Sequence, residues 1–146
     1  MLQQFRIVFN AVKTHMQQIE RGAGASGAQV WALHLIHAQP GIGVSDLARA
    51  MSVRQPTASA CVKALTQQGL VEARREGVDR RAVQLHVLPK GEQVLSRVPG
   101  PFAGVLPEAL ATLSPATLIG LEAHLAQLIH ALGADESAAN LPLSDL

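Results

Sequence analysis

Four arginines fall within the eight residues "RREGVDRR", with Arg74 and Arg75 on one side of Gly77 and Arg80 and Arg81 on the other. Guanidinium groups are permanently charged planar donors that match phosphate geometry, so this spacing suits a loop tip offered to a polyanion. Asp79 sits among them, where a charge-assisted fork would hold a neighbouring arginine in one pose. Nothing else in the chain points to reaction chemistry. It has no glycine-rich phosphate loop, no nucleophile beside a recognisable base, no carboxylate pair and no metal signature. His34 and His37 have the i, i+3 spacing that can place two imidazoles on one metal, but a zinc site needs four ligands. His15 and His124 could join them only through tertiary contact, and Cys61 has no second cysteine beside it. Cys61 falls on the inward face of a helix without a basic neighbour, which is the setting of a packing thiol. These residues describe a binding protein, not an enzyme.

The arginines need a hairpin to carry them. "LVEAR" starts a strand, and "AVQLHVL" alternates, with Val83, Leu85 and Val87 on one face and Gln84 and His86 on the other. Gly77 can take the positive φ of the turn between them. Two short helices joined by the tight connection "SVR" precede the hairpin. Ser45 is expected to cap the first, "DLARAM", with Asp46 in its first turn. The second, "QPTASACVKALTQQ", tolerates Pro56 in its first turn and ends at Gly69 in a left-handed cap. Ala58, Cys61, Val62 and Leu65 recur at three and four, leaving Gln55, Ser59, Ala60, Lys63 and Gln67 outward. Arg54, Gln55, Thr57 and Ser59 gather near its N-terminus, where side chains reach base edges and backbone amides meet phosphate. Two helices and a basic-tipped hairpin make a winged helix-turn-helix, in a chain that is otherwise mainly α.

Further helices flank this lobe. Residues 2–21 carry the apolar stripe Phe5, Phe9, Val12, Met16 and Ile19, and "RGAGASG" ends the run. Residues 28–38 are apolar almost all round and predict a buried helix that includes Trp31. After "PKG" a helix runs to residue 98. "VPGPF" interrupts it, and "AGVLPEALATL" is expected to continue it with a kink at Pro107. Ser114 and Pro115 open a last helix with the stripe Leu118, Leu121, Leu125, Leu128 and Leu132, ended by Gly133. Residues 134–146 have no useful periodicity and are expected to be mobile. The stripes at 5–19 and 118–132 predict a four-helix seam between two copies, because the lobe between them is a closed unit. The organisation expected is one domain, with 1–27 and 99–133 as dimerisation helices and 28–98 as the lobe.

Composition agrees. The 146 residues suffice for one domain, and the 48% apolar content comes with only 3% aromatic, so the core is Leu, Val, Ile and Ala. No uncharged apolar run reaches the ~18 residues of a membrane span, and "MLQQFRIVFN" does not read as a signal peptide. A single cysteine fits a reducing cytoplasm. The net charge of +1 hides a gradient. Residues 44–98 carry nine basic and five acidic side chains, whereas 99–146 carry five acidic and none basic. One surface is therefore built to meet a polyanion and another to avoid it.

Residues 44–91, "VSDLARAMSVRQPTASACVKALTQQGLVEARREGVDRRAVQLHVLPKG", resemble the core of the multiple-antibiotic-resistance regulator (MarR) family of bacterial transcription factors. The resemblance lies in the "LA" of the first short helix, the "QPT.S" opening of the second, "L..QGLV" into the first strand, Asp79-x-Arg81 with Leu85 four residues on, and "PKG". It implies a homodimer that binds a pseudo-palindromic operator in double-stranded DNA, in the cytoplasm and without a cofactor. Helix 54–67 would read the major groove, and Arg81, with Arg80, would enter the minor groove. The DNA-binding set is then Ser45, Arg54, Gln55, Thr57, Ser59, Lys63, Arg74, Arg75, Asp79, Arg80 and Arg81. A small-molecule pocket between the dimerisation helices and the lobe would involve His15, Trp31 and His34, with a phenolic or aromatic acid as effector of a repressor. Two features depart from the family pattern: Leu88 replaces the threonine before "PKG", and "PGP" at 99–101 breaks what is normally one long helix. The competing readings are a winged helix used only for protein contact and a zinc-sensing variant of the same family.

Overall fold

The helix that the sequence makes apolar all round stands at the centre of the molecule. In the computed structural model, which describes residues 1–75 and 82–143, it is α2 (Gly27–Ala38). Around it the chain runs α1 (Leu2–Ala23), α3 (Val44–Met51), α4 (Gln55–Gln67), β1 (Val71–Arg74), β2 (Gln84–Val87), α5 (Pro89–Arg97), α6 (Val105–Ala111) and α7 (Pro115–Leu132), then a 3₁₀ turn (Glu136–Asn140). A reciprocal capping box starts α2: Ser26 Oγ accepts from the Gln29 amide at 3.2 Å, and Gln29 Oε1 accepts from the Ser26 amide at 3.4 Å. Val30, Ala32, Leu33 and Ile36 are then wholly buried, against a core that includes Ile19, Leu47, Met51, Leu65, Leu70 and Leu85.

β1 and β2 pair antiparallel, with Val71 opposite Val87 and Ala73 opposite Leu85. Leu85 is fully buried, and Val83 and Val87 pack beside it as the alternation predicts. The opposite face is half-buried too, because the α2–α3 connection lies along β2. Gly41 N–H donates to Leu85 O at 2.8 Å, and Leu85 N–H donates to Ile42 O at 3.1 Å. This pairing fixes where α3 begins and corrects the expected cap. Gly43 is the N-cap, its carbonyl accepting from Leu47 at 2.9 Å, while Ser45 is an exposed residue of the first turn that caps nothing. Ser52 closes α3 in the left-handed conformation (φ 55), and Gly69 does so after α4 (φ 71). Leu88 precedes α5 without a side-chain cap, as its chemistry requires.

The expected kinked continuation past residue 98 is not formed. Pro99 and Pro101 cannot continue the helical ladder, and α6 is a separate short helix with Pro107 in its first turn, where no kink results. Ser114 caps α7 by accepting from Thr117 N–H at 3.2 Å, and Gly133 (φ 59) ends it. Beyond Gly133, where the sequence shows no periodicity, the described chain forms a short turn. The Asp135 carboxylate accepts from the Ser137 amide at 2.9 Å and hydroxyl at 2.6 Å, initiating the 3₁₀ turn, and Pro142 is buried. Among the described residues no helix is long and apolar enough to cross a membrane.

Candidate nucleic-acid interface

One face of α4 is committed to the core through Ala58, Cys61 and Leu65. Helical geometry therefore turns Gln55, Ser59, Ala60, Lys63 and Gln67 to solvent, and all five are exposed. Arg54, the N-cap, is exposed, and Thr57 is half-buried. No side chain caps this N-terminus and no acid lies in its first turn, so the positive end of the helix dipole is left for an external anion. Ser59 and Ala60 are small, which keeps the exposed face narrow enough for a major groove. On α3, Ser45 is exposed near an Arg49–Asp46 pair at 2.7 Å, which its exposure makes worth about 0–1 kcal/mol.

At the base of the wing Arg74 and Arg75 are both exposed. Arg74 Nε donates to Glu72 Oε1 at 2.6 Å, and Nη2 approaches the same oxygen, so a carboxylate on its own strand already orients this arginine. Gly77, Asp79, Arg80 and Arg81 lie outside the described residues. Lys90 Nζ donates to Gln68 O at 3.1 Å, tying the end of α4 to the start of α5.

The three residues proposed for a small-molecule pocket separate. Trp31 lines a cavity of about 180 Å³ with Met16, Met51, Val53, Ala103 and Pro107. His15 and His34 lie outside that lining and hold the α5–α6 connection instead. Buried His15 bonds through Nε2 to Pro101 O at 2.9 Å, and His34 stacks on Phe102 with centroids 4.5 Å apart. Sequence reasoning missed Met51, Val53, Ala103 and Pro107, which carry no signal separating cavity wall from core. His34 and His37 form no metal cluster with other ligands among the described residues.

Burial, and then the charge of His37, push the His34 imidazole below its ordinary pKa. The unfolded chain thus takes this proton first as the pH falls. His34 contributes full stability above about 6.5, the ordinary histidine value, and loses it as the pH falls toward the folded pKa. His34→Phe keeps the stack and removes the titration. Urea denaturation at pH 7.5 and 5.5 should show a smaller acid loss in this variant than in the wild type; equal losses would acquit His34.

An acid-free helix presented beside an arginine-rich hairpin defines a winged helix-turn-helix protein. Residues 23–82 match the sequence profile of the MarR family. This lobe is therefore similar to that family. A MarR crystal structure is similar at 27% identity and TM-score 0.56, covering 64% of this chain and 70% of that one. The MepR–DNA complex of S. aureus shares the fold at 20% identity, 88% and 95% coverage and TM-score 0.60. FabT of Streptococcus pneumoniae in complex with DNA does so at 18% identity, 89% and 92% coverage and TM-score 0.56. No curated protein sequence matches the chain.

Proposed function

We propose that the chain is a homodimeric repressor that binds a pseudo-palindromic operator and is released by a small molecule. The observation that carries it is the exposed face of α4, small and free of acids, beside the arginines at the base of the wing. Two structural neighbours of the same fold were solved on DNA, which supports the same use of this face. In this reading Arg54, Gln55, Thr57 and Ser59 meet base edges and phosphates, Lys63 and Ser45 meet the backbone, and Arg74, Arg75, Arg80 and Arg81 serve the wing, with Asp79 orienting an arginine. The effector enters the cavity beside Trp31, between the lobe and the flanking helices. No cationic side chain lines that cavity among the described residues, so an uncharged phenolic compound fits it better than a carboxylate.

Fluorescence anisotropy on DNA from upstream of the protein's own gene, beside a scrambled duplex and across a salt series, tests the reading. Specific binding that weakens by about 0.9 logarithmic units per tenfold salt for each phosphate contact is expected. Gln55→Ala should relax the preference for the operator by about 1–3 kcal/mol while sparing affinity for random DNA. Weak binding with little salt dependence would instead favour a winged helix used for protein contact.

A further inference from the structure

We propose that Leu141, Pro142 and Leu143 are an intramolecular ligand of the Trp31 cavity, a plug that an apolar effector must displace. The three residues line that cavity together with Met16, Trp31, Met51 and Val53. Leu143 also faces the adjoining groove along α1, beside Phe9 and Val12. Pro142 is buried between Leu141 and Leu143, which remain 47% and 43% exposed, and it follows a turn exposed at residues 136–139. The return of the chain is specified locally: Gly133 reverses it after α7, and the two Asp135–Ser137 hydrogen bonds set the 3₁₀ turn that aims residues 141–143 back across the molecule.

The chemistry of the two sides matches. The tail is otherwise small or polar from residue 134 to residue 140, and then presents a leucine, a conformationally fixed proline and a second leucine. Apolar walls against Pro142, with the two leucines partly covered beside it, gain burial without leaving a tail polar side chain unpaired. The cavity walls come from α1, α2, the α3–α4 turn, the α5–α6 connection and α6, so its occupant touches both the recognition lobe and the helices outside it. The consequence for DNA release rests on the regulatory reading above, but occupancy by the tail does not and can be measured without DNA.

Trp31 is the single tryptophan, so its emission reports the cavity directly. In the full-length chain, Pro142→Glu should shift Trp31 emission to the red and raise acrylamide quenching. It should also tighten binding of the uncharged probe N-phenyl-1-naphthylamine about tenfold, as expected if the plug is seated roughly nine-tenths of the time. Asp135→Ala removes the turn's hydrogen bonds from an exposed position without touching the cavity, and should move all three readouts the same way by a smaller factor. Unchanged emission and probe affinity in both variants would overturn the proposal. A wild-type quenching constant that falls as the protein is concentrated would assign the tail to a second copy and overturn the intramolecular form.

Discussion

Leu125→Glu is expected to leave a monomer at micromolar concentration and to lower affinity for the operator by more than about 100-fold, while nonspecific binding falls far less. α7 is 18 residues long, and none of them is buried within its own chain. Leu121, Leu125 and Leu128 are 37%, 40% and 36% exposed, and Leu118 is half-buried. Leu121 and Leu125 border a groove with Phe5 and Val8 of α1 and with Leu106 and Leu110 of α6. Nearby, Phe9 is 72% exposed, while Val12 and Met16 are only half-buried. A helix whose apolar residues are left this exposed by its own chain is suited to an interface, and on the proposed reading a second copy of the same surface would close it with two-fold symmetry. A carboxylate placed in that seam appears twice per dimer, and desolvating each costs several kcal/mol. Half-sites one helical turn apart need two lobes held together, so on the proposed reading loss of the dimer would remove the operator's advantage over random DNA. Sedimentation velocity and the anisotropy titration check it. A dimer with unchanged operator affinity would exclude α7 from the interface.

What could be read from the chain without coordinates was mostly what local chemistry decides. Ser114 followed by Pro115 announces a helix start, and Gly69 and Gly133 take the left-handed positions expected of them. The alternation at Val83, Leu85 and Val87 set the strand's buried face. Reading failed where a distant backbone or ring decided the outcome. Ser45 is a good cap by type, but hydrogen bonds between Leu85 and the 41–42 segment moved the helix start to Gly43. Nor does any local pattern announce that His15 bonds to a carbonyl, and His34 stacks on a phenyl ring, of the α5–α6 connection. Periodicity says nothing of a three-residue apolar segment such as 141–143, which is too short for either period.

Gly91→Ala should unfold at a temperature about 5–10 °C lower, a loss of roughly 2–3 kcal/mol, although alanine is the better helix former. Gly91 is the third residue of α5, and propensity alone would favour the substitution by about 1 kcal/mol. Space decides the sign. A Cβ there would stand 2.4 Å from Leu70 O, 2.8 Å from Val87 Cγ1 and 3.2 Å from Leu33 Cδ1. The nearest of these is backbone, and the Leu70 carbonyl is already held at 2.9 Å by Leu88 N–H, the bond that joins the base of the hairpin. α5 can make room only by moving off β2 and α2, which opens the core at Leu33 and breaks that bond. Val87→Ala therefore should not rescue the variant, because trimming a side chain leaves the carbonyl in place. Thermal denaturation of the single and double variants checks both parts. Full recovery in the double variant would locate the crowding at Val87 and remove the carbonyl from the explanation.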